Sequence, residues 1–158
     1  RKLPKGRGLG LAFAHSFVSY VAAVIEVDIN AKGEMSIPQV DIAIDCGPAI
    51  NPDRIRSQLE GACIMGIGLT TSGEVSFKNG RVMQSNFHDF EILRTSAAPK
   101  LIQCHIVSNN LNTELGGVGE PGLPPIAPAL CNAIFAATGK RIRRLPIKDQ
   151  LSKINLAS

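Results

Sequence analysis

The sequence predicts an α+β fold, on three observations. Two segments alternate apolar and polar residues with the period of a half-buried strand, an Asn–Gly pair marks a tight hairpin, and two segments carry apolar residues at helical spacing behind helix-start signals. The expected architecture is antiparallel hairpins and strands packed with two main helices. With 158 residues, 44% apolar and 19% charged, the chain is long enough for a real core and has the composition of a globular protein. A single domain, residues 1–158, is expected, with no internal repeat and no low-complexity segment.

The elements follow in chain order. "GRGLG" (6–10) superficially looks like a dinucleotide loop, but no strand precedes it and no acidic residue follows at the required distance, so that reading is set aside. "VIEVDI" (24–29) sets Ile25, Val27 and Ile29 against Glu26 and Asp28; "NAKGE" (30–34) is turn chemistry; "VDIAID" (40–45) alternates again. Together they predict an antiparallel hairpin. A helix opens at "INPDRIRSQLEG", with Asn51 as N-cap, Pro52 at the first helical position and Asp53 at the positive helix end. Ile55, Leu59, Ala62, Cys63 and Gly66 form its apolar stripe. Gly61, Gly66 and Gly68 each cost about 1 kcal/mol relative to Ala within a helix, which points to close approach by another helix or a ligand. "EVSFKNGRVMQ" (74–84) is a second hairpin turning at Asn79–Gly80, and "LIQCHIVS" (101–108) a further strand. "IAPALCNAIFAAT" (126–138) is apolar nearly all round, so a buried helix is expected, ending at Gly139.

Charge and composition narrow the function classes. The formal charge is +4, concentrated at Arg1, Lys2, Lys5 and Arg7 and again at Lys140, Arg141, Arg143 and Arg144. With 4% aromatics, no Trp and no nucleic-acid motif around either cluster, a solvated or docking face is preferred over nucleic-acid binding. Cys46, Cys63, Cys104 and Cys131 form no C-x-x-C pair, which removes the zinc and iron–sulfur spacings; buried reduced thiols are expected. His15, His88 and His105 are scattered, so no metal held by protein side chains is expected, and no G-x-S-x-G elbow is present. No apolar run is long enough to span a bilayer and no signal peptide opens the chain; localisation is left open between bacterial cytoplasm and periplasm.

The segment "GGVGEPGLPP" (116–125) concentrates the chemistry. Gly116, Gly117 and Gly119 let backbone approach something closely, and the N–H groups of such a loop form a nest for anions or polar ligands. Glu120 stands at that contact. An equally good reading makes Glu120 a cap for free N–H groups at the start of the following helix. Gln58, near the start of the first helix, is by itself an ordinary solvated side chain.

Residues 116–147, "GGVGEPGLPPIAPALCNAIFAATGKRIRRLPI", resemble the end of the large, molybdenum-binding subunit of the xanthine oxidase family of molybdenum hydroxylases. Within that family they are most similar to its isoquinoline 1-oxidoreductase and aldehyde-oxidising branch. "GRGLGLAF", "DCGPAINPDRIRSQLEGACIMGIG" and "FKNGRVMQSNFHDFEILR" resemble further segments of the same subunit, in the same order, so the resemblance covers essentially the whole chain. It implies that Glu120 is the active-site base, that Gly117, Val118 and Gly119 lie against the molybdenum centre, and that Gln58 contacts the pterin. Many relatives carry a second Gln where this chain has Met65. The resemblance further implies hydroxylation of an N-heterocycle or aldehyde with oxygen from water, and electrons leaving through iron–sulfur clusters on a separate small subunit. It implies molybdopterin, in bacterial members the cytosine dinucleotide form. An apolar pocket would raise the carboxyl pKa towards neutrality.

The family's large chain is several times longer, so this chain is expected to be its C-terminal part. It is expected to hold no cofactor and be inactive alone, and to self-associate through the surface meant for the remainder of the large chain. Two readings of other classes stand beside this one: a free-standing nucleotide-binding module, which phosphate titration would reveal, and a cofactor-free structural or docking domain.

Overall fold

The computed structural model describes residues 3–107 and 110–152. Its main sheet has four strands in the order β1–β2–β3–β6, and a separate two-stranded ribbon pairs β4 with β5. The strands are β1 (Arg7–Ser16), β2 (Ser19–Ile29), β3 (Met35–Asp45), β4 (Phe77–Lys78), β5 (Arg81–Val82) and β6 (Ile102–Ile106); the helices are α1 (Pro52–Thr71) and α2 (Ile126–Thr138). β1–β2 and β2–β3 are antiparallel, whereas β6 joins β3 in parallel. That pairing needs a long crossover, which α1 and the ribbon supply.

The expected hairpin exists but is longer at both strands. β2 begins at Ser19, and β3 at Met35. A register shift between Glu26 and Asp28 leaves Ile37 and Pro38 together opposite Val27. A bulge is one of the few places within a sheet that tolerates a residue without an N–H. The predicted strand at 101–108 is β6; Ser108 lies outside the described residues, as do Arg1 and Lys2 of the first basic cluster.

β1 was not anticipated. "RGLGLAFAHS" does alternate, but its inward residues are Gly8, Gly10, Ala12 and Ala14, which carry almost no apolar signal. Their smallness is what α2 requires. A methyl group on Gly8 would lie 2.2 Å from the Ala133 carbonyl oxygen, and one on Gly10 2.0 Å from that of Ala129. α2 therefore rests backbone against backbone on β1.

One face of the sheet is the core. Val21, Ala23, Ile25, Val27 and Ile29 of β2 and Val40, Ile42 and Ile44 of β3 are buried with Ile55, Leu59, Cys63 and Ile67 of α1 and Ile126, Leu130 and Ile134 of α2. The cap of α1 is as expected: the Asn51 side chain accepts from the Arg54 N–H at 3.1 Å, and Pro52 opens the helix. Of its glycines, Gly66 meets Ile126 of α2, whereas Gly61 faces open space. α2 ends at Gly139 in the left-handed conformation, as predicted. It is not buried all round: Pro128, Phe135 and Ala136 are exposed, and the Arg141 guanidinium covers the Phe135 ring at 3.6 Å. Burial follows contact with β1 and α1, so the apolar residues on the far side stay open. Cys46 and Cys63 are buried, Cys104 and Cys131 partly so, and all four are free thiols.

Candidate functional site

The glycine loop is fastened at both ends and open at its tip. At the near end, Gly116 donates to the Cys46 carbonyl at 3.0 Å and Gly117 to the Phe17 carbonyl at 2.8 Å. The Ser19 hydroxyl donates to the Gly117 carbonyl at 2.6 Å. A methyl on Gly116 would meet the Ser19 hydroxyl at 2.2 Å, and one on Gly117 would meet Phe17 Cβ at 2.8 Å. These two glycines serve close approach to the chain itself. At the far end Pro121 and Gly122 are buried, and a methyl on Gly122 would lie 2.9 Å from Ala62 Cβ of α1.

Between these anchors stand Val118, Gly119 and Glu120. Among the described residues, none accepts from their N–H groups. Gly119 and Glu120 are exposed, and Val118 is half-buried. The fold brings Gln58 to this tip, although it lies 61 residues away in sequence: its carboxamide nitrogen is 3.4 Å from the Gly119 carbonyl oxygen, a long hydrogen bond. Gln58, Gly119 and Glu120 are thus assembled in one place.

The surroundings of the carboxylate bear on the capping reading. α2 starts at Ile126, its N-cap is Pro125, and no side chain caps it. Glu120 lies upstream, separated by the turn in which the Leu123 N–H donates to its carbonyl oxygen at 2.9 Å. Among the described residues its carboxylate has no hydrogen-bond or ionic partner. It does not cap the helix.

The loop leans on a hairpin turn held in a costly conformation. β1 and β2 are joined by two residues, Phe17 and Val18, with φ of 50° and 66°. Two-residue hairpins favour turns with positive φ at both central positions, hence Asn–Gly, and Asn79–Gly80 of the ribbon fulfils that rule with φ of 51° and 75°. A β-branched residue there is a genuine outlier, and strain of this kind costs of order 1–3 kcal/mol per residue. Ser16 and Ser19 flank the turn as a pair. Ser19 is fully buried, and the Ser16 hydroxyl is shut off from solvent with no partner among the described residues.

Burial disfavours the thiolate form of two nearby cysteines. Burial, reinforced by Cys104 and Glu60, pushes the Cys63 thiol up to about 12. Burial and Glu60 push Cys104 up to about 11, against the opposing Arg56. Both stay protonated at neutral pH. Met65 is exposed and lines an open apolar groove of about 340 Å³ with Ile64, Leu69, Phe90 and Ile92. Among the described residues no group of three or more His, Cys, Asp and Glu side chains could hold a metal ion, and no helix is long and apolar enough to cross a membrane.

Residues 4–99 match the family described as the molybdopterin cofactor-binding domain, and the chain belongs to that family. Among particular relatives, it is 35% identical over 150 residues to the beta chain of isoquinoline 1-oxidoreductase from Brevundimonas diminuta, covering 94% of this chain and 19% of the relative. It is 33% identical over 150 residues to one of the subunits of nicotinate dehydrogenase from Pseudomonas putida, covering 89% of this chain and 12% of the relative. The aldehyde oxidoreductase of Desulfovibrio gigas superposes with a TM-score of 0.74 at 24% identity, over 87% of this chain and 15% of that one, which establishes the shared fold. The chain spans about a fifth or less of these relatives.

The residues present fit a molybdopterin cofactor. The tip offers unpaired N–H groups at Val118, Gly119 and Glu120, a carboxamide at Gln58, and at Gly119 a position without a side chain. Ser19, Phe17 and Val18 were missed by the sequence reading. Their signal was present only as a two-residue gap between alternating segments, without the glycine or asparagine that marks such turns.

Proposed function

We propose that this chain supplies the base and part of the cofactor cradle of an enzyme that hydroxylates an N-heterocycle or an aldehyde with oxygen taken from water. The observation that carries the reading is the Glu120 carboxylate, held at the tip of a doubly anchored loop beside Gln58 and engaged by nothing among the described residues. The relatives named as isoquinoline oxidoreductase and nicotinate dehydrogenase support the N-heterocycle, and an aldehyde oxidoreductase subunit 28% identical over 137 residues supports the aldehyde.

In this reading the N–H groups of Val118 and Gly119 and the Gln58 carboxamide hold the molybdopterin, in its cytosine dinucleotide form. When bound, the cofactor supplies the two-electron oxidation and the activation of water. Overall, a C–H bond and one water become a C–OH bond, two protons and two electrons. Glu120 accepts one of those protons at a carboxylate oxygen, which is general-base catalysis by a positioned group. Rigid anchoring at Gly117 and Gly122 keeps that oxygen where the proton is released. An iron–sulfur subunit would take up the electrons, and the remainder of the large subunit would complete the site.

Glu120→Gln in the full-length enzyme tests the assignment. Single-turnover reduction of the molybdenum centre by substrate is expected to slow by roughly 10²–10⁴, with molybdenum content near normal. Reduction at the wild-type rate would end the general-base assignment.

A further inference from the structure

We propose that Ser19 is a positioning residue for Glu120, acting through the carbonyl of Gly117. The inference rests on the reading of Glu120 as the base. Ser19 lies 98 residues from Gly117, is fully buried, and donates to that carbonyl at 2.6 Å. The turn it follows supplies a second contact, the Phe17 carbonyl accepting from the Gly117 N–H at 2.8 Å. Both polar groups of Gly117 are therefore gripped by one hairpin end. Beyond it come only Val118 and Gly119, whose N–H groups find no acceptor among the described residues, and then Glu120.

The geometry is specific to a small hydroxyl donor. Gly116 packs against Ser19 so closely that even a methyl group would stand 2.2 Å from the hydroxyl oxygen. The turn also holds Phe17 and Val18 at positive φ, and strain of this kind persists where surrounding contacts over-determine it, often at functional sites. Here the grip on Gly117 is such a contact. Its consequence is a Glu120 carboxylate placed by backbone rather than by side-chain partners. Removing the Ser19 hydroxyl leaves the Phe17 bond and the core intact and loosens one end of the loop tip. A displacement of about 1 Å at a reacting group can cost about 10²-fold in rate.

The test uses the full-length, cofactor-loaded enzyme with Ser19→Ala, Ser19→Cys, Glu120→Gln and the Ser19→Ala/Glu120→Gln double variant. Hydrogen exchange of the peptide containing residues 116–120 should quicken about tenfold in Ser19→Ala, with β2 and β3 unchanged. Reduction per bound molybdenum should slow roughly 10- to 100-fold at unaltered substrate affinity, with Ser19→Cys in between. In the Glu120→Gln background the same change should cost less than about twofold, because groups that act as one unit are not additive. Unchanged exchange overturns the proposal, and so does an equal slowing in both backgrounds, the mark of a general structural role. Loss of molybdenum in both Ser19 variants overturns it too. Wild-type reduction by Glu120→Gln alone identifies failure of the base assignment itself, and the proposal falls with it.

Discussion

Val18 and Asn79 occupy equivalent kinds of turn and show how differently residues tolerate left-handed backbone. Asn79–Gly80 adopts positive φ at little cost, while Phe17–Val18 does so against the preference of both side chains. Val18→Gly is therefore expected to stabilise this chain by about 1 kcal/mol, the relief of strain exceeding the entropy that glycine adds to the unfolded state. A urea midpoint that falls would show that the turn is not strained. Ser16→Ala removes a hydroxyl that is buried without a partner among the described residues. It should be neutral or stabilising by up to about 1 kcal/mol, since no hydrogen bond is lost and a desolvated donor disappears. A clear loss of stability in the same denaturation experiment would reveal a bond that Ser16 makes.

At the scale of elements, the contact between β1 and α2 sets the tolerance of the fold. Gly10→Ala would drive a methyl to 2.0 Å from the Ala129 carbonyl oxygen and 2.2 Å from the Ala133 nitrogen. Backbone on both sides cannot step aside as a side chain can. The cost should exceed the roughly 1–3 kcal/mol of ordinary overpacking, read as a large drop in the urea midpoint or no folded protein at all. Gly61→Ala, facing open space within α1, should instead stabilise by several tenths of a kcal/mol. The segment after the β4–β5 ribbon is expected to respond to pH. Hydrogen bonds from the backbone N–H groups of Asn86 and Ser85 hold the Asp89 carboxyl down at about 2. Its folded pKa lies below the unfolded value of about 3.9, so its stabilising effect is present above about pH 4 and is lost as pH falls towards 2. Amide exchange at residues 85–90 should accelerate in that window, and Asp89→Asn should remove the pH dependence.

Across the whole molecule, the two faces of the sheet differ. The inner face is sealed by α1 and α2, while the outer face carries Leu11, Phe13 and Tyr20, each at least half exposed. Phe13 and His15 stack on Tyr20, which makes this side a flat aromatic–aliphatic surface. Surfaces of this kind lead to association. Alone, the chain is expected to self-associate at high concentration, and Leu11→Lys with Phe13→Lys should shift sedimentation towards monomer. A wild-type chain that stays monomeric would count against this surface as one that meets the rest of a larger subunit.

Local signals carried far in this sequence. Asn51–Pro52 at the start of α1, Gly139 at the end of α2, the Asn79–Gly80 turn and the alternation of Ile25 with Val27 and of Val40, Ile42 and Ile44 were legible because caps, turns and period-two burial are properties of near neighbours in the chain. The family, too, was legible, since its motifs are contiguous. β1 was not, because Gly8 and Gly10 hide a strand whose reason lies in α2, far along the chain. Nor could sequence exclude a helix cap at Glu120, because that turns on whether its carboxylate reaches a helix N–H. Only the tertiary structure set Gln58 beside Gly119 and Ser19 under Gly117, 61 and 98 residues apart. Contacts at such separations leave no periodic trace in the chain, because they depend on where packing of the core brings two loops, not on what either loop prefers by itself.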